Sequence, residues 1–236
     1  MAPDSQAHDP HPRATAQERW LDAIWPTVQS HLPSPPAAIA ELGCGRLGGF
    51  VPKLLASGYD AVGIDPVAPD GDEYRQEEFE RSELPPQLGA VVACTSLHHV
   101  ADPGAVLDRI ARGLAPRSLV VVVEWDWEGF DEAAARWCFE RLGASETDSW
   151  LHHHRDEWME SGQSWETCFR GWAEHHGLHR ATQLVRDLDE RFERLVFRRG
   201  PYYFSELSNT TEADELAAIE AGLIPAARID YVGRVG

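Results

Sequence analysis

A glycine-rich turn between two apolar segments is the feature that most constrains the fold of this chain. Residues 37–42 (AAIAEL) have the length and composition of a short buried strand, residues 43–49 (GCGRLGG) follow directly, and residues 50–56 have the apolar spacing of a helix. Glycines at such a junction allow a tight turn and let backbone N–H groups approach a ligand at the N-terminus of the helix. The sequence therefore predicts a strand–loop–helix unit that binds a ligand.

The same alternation of strand and helix continues downstream. Residues 61–64 and 89–95 read as strands, residues 103–114 as an amphipathic helix, and residues 119–125 (LVVVVEW) as a strand buried on both faces of a parallel sheet. A further strand is predicted over 74–79. Strands that alternate with helices imply right-handed crossovers, so we expect an α/β fold with a doubly wound, Rossmann-like, mostly parallel sheet.

The rhythm of the chain changes after residue 126, which divides it into four predicted parts. Residues 1–13 are predicted to be a disordered tail, because their Pro, Asp and His residues cannot bury apolar area. Residues 14–130 form the predicted ligand-binding core. Residues 131–190, mostly helical and rich in Trp and His, are predicted to be an insertion that caps the active-site edge of the sheet, and residues 191–236 to complete the sheet.

Composition excludes several classes of partner. The 39 Asp and Glu against 21 Lys and Arg give a net charge of −18, which repels the phosphates of nucleic acids and of anionic membranes. Four widely spaced cysteines without a CxxC pair are neither a disulfide framework nor a zinc ribbon, and no apolar run approaches a membrane span. We expect a cytoplasmic monomer or homodimer that binds a small molecule.

The spacing of one acid from the glycine turn points to an adenine nucleoside. Asp65 lies 20 residues after Gly45, at the end of the second predicted strand, where a carboxylate can accept hydrogen bonds from both ribose hydroxyls. The turn also satisfies GxGxxG, so an NAD(P)-dependent oxidoreductase is an alternative. Glu41, two positions before Gly43, would repel a pyrophosphate but suits a cationic ligand, so the sequence favours the sulfonium and ammonium of S-adenosylmethionine.

Three segments together resemble the class I S-adenosylmethionine-dependent methyltransferases, especially the small-molecule branch that includes quinone-methylating enzymes. They are ELGCG (41–45), AVGIDP (61–66) and CTSLHHVADPGAVLDRIARGLAP (94–116). The resemblance implies a cofactor-binding set drawn from the glycine loop, the end of the second strand, an acid–aromatic pair for the adenine and the end of the strand before residue 96. The implied residues are Glu41, Gly43, Cys44, Gly45, Asp65, Pro66, Glu78, Phe79 and Thr95.

The chain departs from the family pattern in two turns. The third glycine of the loop is displaced to Gly48, and residues 116–118 (PRS) replace the usual Pro-Gly-Gly. Residues 124–128 (EWDWE) resemble a branch of the family typical of actinobacteria, whose substrates are unassigned. These departures concern the path of the loops rather than the chemistry.

Histidines that follow the strands are the candidate catalytic residues, because ligands bind beyond the carboxyl ends of the strands in an open α/β sheet. A neutral imidazole can act as a general base toward a hydroxyl acceptor near pH 7. His99 is the first candidate, and His98 and His153 are weaker ones. The alternative is that the 98–99 pair only packs and starts a helix. The three histidines at 152–154 cannot point the same way on a helix, so no metal site is predicted.

An aromatic stripe marks the predicted insertion. Trp158, Trp165 and Trp172 recur every seven residues and Phe169 follows Trp165 by four, which places all of them on one side of a helix predicted over 155–176. The stripe is predicted to anchor the insertion on the core. The alternative is that one end of it walls an apolar or aromatic acceptor pocket.

The predicted function is methyl transfer from S-adenosylmethionine to a small-molecule acceptor, first of all O-methylation of a hydroxyl in a secondary or quinone-like metabolite. Three alternatives remain open at this point. They are an enzyme of the same fold that promotes cyclisation or elimination without methyl transfer, an NAD(P)-dependent oxidoreductase, and a binding protein without activity.

Overall fold

The computed structural model describes residues 14–143 and 149–236. The predicted disordered tail, residues 1–13, lies outside the described residues.

A seven-stranded sheet forms the centre of the protein. In chain order the strands are β1 (Ala38–Leu42), β2 (Asp60–Ile64), β3 (Tyr74–Arg75), β4 (Leu88–Cys94), β5 (Leu114–Trp125), β6 (Glu193–Gly200) and β7 (Arg228–Arg234). They lie in the order β3-β2-β1-β4-β5-β7-β6. Strands β1 to β5 pair in parallel, whereas β7 is antiparallel to both β5 and β6. The prediction of a doubly wound, mostly parallel α/β sheet is confirmed.

Eight helices of the described residues connect and flank the strands. They are α1 (Ala16–His31), α2 (Val51–Ala56), α3 (Pro103–Gly113), α4 (Glu132–Phe139), α5 (Trp150–Ser161), α6 (Trp165–His175), α7 (Ala181–Asp189) and α8 (Glu212–Glu220). Local sequence explains where several begin. The Thr15 hydroxyl accepts from the Glu18 N–H while the Glu18 carboxylate accepts from the Thr15 N–H, a capping box that starts α1. None of these helices is long and apolar enough to cross a membrane.

The core lies on both faces of the sheet. Val120 and Val122 of β5 pack against α3 and α7, whereas Val121 and Val123 pack against α1 and α2 on the opposite face. All four valines are buried, and burying each stabilises the fold by about 1.5–3 kcal/mol. The unbroken apolar run of β5 therefore has the cause that the sequence suggested, which is burial on two faces.

Three sequence-based elements were wrong in extent, and one of them is β5, which begins at Leu114 rather than at residue 119. The strand predicted over 74–79 ends at Arg75, because its partner β2 ends at Ile64 and leaves no further backbone to pair with. The helix predicted over 155–176 is two helices, α5 and α6. Gly162 ends α5 in the left-handed conformation with φ 64°, and the Ser164 hydroxyl accepts from the Thr167 N–H to start α6.

The helices of the predicted insertion pack in two different places. Helices α4, α5 and α6 share an aromatic cluster with Trp125, Phe130 and Tyr203. Helix α7 instead packs directly on the sheet beside α3, through Leu184 and Leu188. The division of the chain into core and insertion at residues 131 and 190 stays a prediction.

Candidate functional site

A cavity of about 770 Å³ opens at the carboxyl ends of β1, β2 and β4. Strand order reverses between β1 and β4, since the chain crosses from β1 to β2 on one side and reaches β4 on the other. Ligands of open α/β sheets bind at this switch point, and the volume is that of a typical small-molecule site.

Seven of the nine residues assigned to the cofactor by resemblance line this cavity. They are Gly43, Gly45, Asp65, Pro66, Glu78, Phe79 and Thr95. The remaining two, Glu41 and Cys44, are buried outside its lining. The fold thus brings residues from four separate parts of the chain into one wall.

The glycine loop is shaped by a close approach to the end of β4. Gly43 has φ 76°, and a Cβ there would lie 2.2 Å from the Cβ of Ser96. Its N–H donates to the Ile64 carbonyl at 2.8 Å, which ties the loop to the end of β2. Only glycine fits this position, because it avoids both the steric overlap and the left-handed strain.

Asp65 links the second strand to the loop and retains capacity for a ligand. Its Oδ2 accepts from the Gly45 N–H at 3.0 Å and its Oδ1 accepts from the Val67 N–H at 2.8 Å. The side chain is half-buried in the cavity wall. Because two carboxylate oxygens offer about four lone-pair sites, further hydrogen bonds from ribose hydroxyls remain available.

Thr95 is held in a strained conformation at the end of β4. Its φ of 50° is unusual for a β-branched residue, and its N–H donates to the Val123 carbonyl at 2.8 Å. Such strain costs on the order of 1–3 kcal/mol and is found preferentially at ligand sites. No pattern in the sequence indicates this strain.

The placement of Glu41 differs from the expectation that its carboxylate faces the ligand. The side chain is 1% exposed and turned under the loop, where Oε2 accepts from the Phe50 N–H at 2.7 Å. Burial, opposed by the Phe50 and Val51 N–H groups, raises the pKa of Glu41 to about 8. Direct contact between this carboxylate and a ligand in the cavity was therefore a wrong expectation, because the group serves the start of α2.

Cys44 is likewise turned away from the cavity. Its side chain is 1% exposed, and its sulfur lies against β2, only 2.8 Å from where a Cβ on Gly63 would be. Burial, with the nearby Glu41 and Asp65 carboxylates, raises the pKa of the Cys44 thiol to about 12. Only the backbone of this residue can contribute to the loop.

The three candidate histidines lie in three different environments. His99 lines the cavity, His98 is 3% exposed, and His153 is exposed on α5 outside the cavity lining. Although part of the His99 ring is exposed at the cavity mouth, desolvation by the surrounding protein and the neighbouring His98 lower the pKa of His99 to about 4. His98 Nδ1 lies 2.6 Å from Oε2 of the buried Glu124, so this ring has a structural partner.

The aromatic stripe lies away from the cavity. Trp165 stacks on Phe169 at 5.0 Å and Phe169 on Trp172 at 5.4 Å, and Phe169 contacts Trp125 at the end of β5. None of these rings lines the 770 Å³ cavity. Their packing supports the interpretation that the stripe anchors the helices on the core.

Sequence reasoning missed Gln17, a cavity-lining residue on the first turn of α1. The amide nitrogen of Gln17 would lie 3.5 Å from a Cβ on Gly45, so the side chain covers the glycine loop. No motif in the sequence marks this residue, because Gln17 is separated from the glycine loop by the rest of α1 and by β1. Among the described residues, no cluster of His, Cys, Asp or Glu is arranged to hold a metal ion.

Comparison with known proteins assigns the family. A family model described as a methyltransferase domain matches residues 13–191. No curated protein sequence matches the chain.

Several solved structures share the fold at low sequence identity. An S-adenosylmethionine-dependent methyltransferase from Mesorhizobium loti has a TM-score of 0.51 and 18% identity, over 91% of this chain and 99% of that one. An N-methyltransferase from Bradyrhizobium japonicum in complex with S-adenosyl-L-homocysteine has a TM-score of 0.51 and 14% identity, over 97% and 93%. An S-adenosylmethionine-dependent methyltransferase from Methanosarcina mazei has a TM-score of 0.53 and 14% identity, over 89% and 97%.

The match covers most of the chain, including the glycine loop, the end of β2 and the end of β4 that form the cavity. The chain therefore belongs to the methyltransferase-domain family and has the class I fold of the S-adenosylmethionine-dependent methyltransferases.

Proposed function

We propose that this protein transfers the methyl group of S-adenosylmethionine to a hydroxyl of a small-molecule acceptor. The observation that carries the proposal is the gathering of Gly45, Asp65, Glu78, Phe79 and Thr95 in the wall of one cavity at the switch point of the sheet. S-adenosylmethionine supplies an electrophilic methyl group when bound.

Each of these residues has a chemical role that fits the cofactor. Asp65 is suited to accept from the ribose hydroxyls, and the exposed Glu78 carboxylate to accept from the exocyclic amine of the adenine. Phe79, largely buried beside it, offers an apolar surface for the adenine ring. Acids along this wall also favour a ligand that carries positive charge.

His99 lines the cavity and can face an acceptor hydroxyl there. A base works best when its pKa lies near the working pH, and the pKa of His99 is lowered to about 4. Such a weak base takes little part in removing a proton, but its ring nitrogen can accept a hydrogen bond from an acceptor hydroxyl. Much of the rate can then come from positioning the acceptor behind the methyl group. We propose that the acceptor hydroxyl belongs to a secondary or quinone-like metabolite, as the family resemblance implies.

Two measurements test the proposal. Calorimetry should detect binding of S-adenosylmethionine and S-adenosylhomocysteine, whereas tight binding of NAD(P)H alone would contradict it. Mass spectrometry of incubations with a panel of phenols, quinols and aliphatic alcohols should then detect products that are heavier by one methylene unit. A converted acceptor of unchanged or reduced mass would favour cyclisation or elimination instead.

A further inference from the structure

We propose that Glu124 is a positioning residue of this site, which holds the cavity wall at Ser96 and Leu97 with one carboxylate oxygen and the His98 ring with the other. The proposal rests on the proposed function, because it assigns the two halves of this carboxylate to cofactor binding and to the acceptor side.

Three backbone N–H donors and one ring nitrogen of His98 converge on the Glu124 carboxylate at the carboxyl end of β5. Oε1 accepts from the Ser96 N–H at 2.8 Å and from the Leu97 N–H at 2.6 Å. Oε2 lies 2.6 Å from His98 Nδ1 and accepts from the Trp125 N–H at 3.1 Å. The side chain is 2% exposed, so water cannot replace these partners.

The group is an ionised carboxylate despite its burial. Burial alone would raise the pKa of Glu124, but the His98 ring and the Leu97 and Ser96 N–H groups outweigh it and lower the pKa. An ionised carboxylate only accepts hydrogen bonds, so the nitrogen of His98 that faces it, Nδ1, must carry a hydrogen.

The Oε1 half acts on the cofactor wall. Ser96 and Leu97 line the cavity directly after the strained Thr95, and the Ser96 hydroxyl donates to the Leu42 carbonyl at 2.9 Å. The Ser96 Cβ occupies the space that a side chain on Gly43 would need. Glu124 therefore fixes the turn against which the glycine loop is seated, and losing its charge should loosen both.

The Oε2 half acts on the acceptor side. The His98 ring, fixed at Nδ1, lies 4.0 Å from the His99 ring between centroids, and His99 lines the cavity mouth. The His98 carbonyl also accepts from the His179 N–H at 3.0 Å, so the residue is held from two sides. His98 thus supports His99 without itself reaching the cavity.

Two substitutions separate these halves. Glu124→Gln keeps the shape but must turn an amide NH₂ group toward N–H donors, so S-adenosylhomocysteine affinity should fall by about 10- to 100-fold, the range for losing hydrogen bonds to a charged group. His98→Asn keeps a donor toward Glu124 but removes the ring, so affinity should stay within about threefold while kcat falls about tenfold or more. Glu128→Gln, an exposed acid four residues further along, is the matched control and should change neither.

The wild-type protein provides a measurement that does not depend on these variants folding. With ¹⁵N-labelled histidine, the His98 signal, assigned by its loss in His98→Asn, should report a hydrogen on Nδ1. An Nδ1 without a hydrogen would overturn the proposal. Equal S-adenosylhomocysteine affinity in Glu124→Gln and wild type would also overturn it. Either result would leave the proposed function intact. A wild type that binds neither S-adenosylmethionine nor S-adenosylhomocysteine would overturn both.

Discussion

Replacing Gly43 with alanine should destabilise the protein more than the same replacement at Gly162. Both glycines have left-handed φ angles, 76° and 64°. A Cβ on Gly43 would lie 2.2 Å from the Cβ and 2.9 Å from the Oγ of Ser96, whereas a Cβ on Gly162 would meet no atom within 4 Å. Comparing Gly43→Ala with Gly162→Ala therefore separates the cost of backbone strain, which both share, from the cost of steric overlap, which only Gly43→Ala has.

The expected magnitudes follow from these two contributions. Left-handed backbone costs an alanine about 1–2 kcal/mol, offset by about 0.4–1 kcal/mol because alanine also restricts the unfolded chain. Gly162→Ala should thus lower the free energy of unfolding by no more than about 1.5 kcal/mol. Overpacking adds about 1–3 kcal/mol, which brings the loss for Gly43→Ala to about 1–4.5 kcal/mol.

Urea unfolding, followed by circular dichroism at constant m-value, measures these differences. Adding Ser96→Gly to Gly43→Ala removes the overlapping Cβ, so the double variant should be more stable than the sum of the two single losses predicts. The reasoning is refuted if Gly43→Ala is no less stable than Gly162→Ala, or if the two losses at 43 and 96 simply add.

Four other outcomes are expected. Asp65→Ala should weaken S-adenosylhomocysteine binding by about 1.5–3 kcal/mol in calorimetry, whereas Asp60→Ala, exposed at the opposite end of β2, should leave it unchanged. Because the pKa of Glu41 is raised to about 8 from its ordinary 4.5, the folded state holds this proton more tightly. The stabilisation is complete below about pH 4.5 and is lost as the pH rises through 8, so Glu41→Gln should flatten the decline in unfolding free energy over that range, and an identical pH profile would contradict the burial of this group. His99→Gln should lower kcat with little change in cofactor affinity, and a loss of affinity alone would exclude a role on the acceptor side. Trp165→Ala should destabilise the fold by about 3–5 kcal/mol with unchanged S-adenosylhomocysteine affinity, and a change in the acceptor KM at unchanged stability would favour the pocket-wall alternative.

The strands of the sheet were predictable where the apolar pattern of a single segment is enough to identify a strand. The valines of β5 are apolar on both faces, and that pattern is typical of a central parallel strand. The break between α5 and α6 was missed because the spacing of Trp158 and Trp165 suits a continuous helix. Gly162 and Ser164 end one helix and start the next, and these local signals prevailed over the aromatic period.

The wall of the cavity was predictable to the extent that its residues are close in sequence to a strand end. Gly43, Gly45 and Asp65 follow β1 and β2 directly, and the parallel sheet then brings those ends to one edge. The contact of Glu124 with Ser96 joins residues 28 positions apart. The direction of the Glu124 side chain depends on which nearby backbone N–H groups need an acceptor. Those groups are defined only once the turn at residues 96–97 has folded, so the sequence could not predict this contact.

The two buried acids of this site bear on the choice of cofactor in a way that sequence could not reveal. Glu41 and Glu124 each accept from backbone N–H groups of a turn, Phe50 in one case and Ser96 and Leu97 in the other. A dinucleotide-binding fold needs the N–H groups at the start of the helix after the glycine loop to be free for the pyrophosphate. Here the Phe50 N–H at the start of α2 already donates to Glu41 and the Val51 N–H to the Gly48 carbonyl, so a pyrophosphate would have to displace these partners to use them. Glu41 therefore disfavours a dinucleotide because it occupies an N–H group at the start of α2. The sequence had suggested a different cause, which is direct repulsion between this acid and the pyrophosphate.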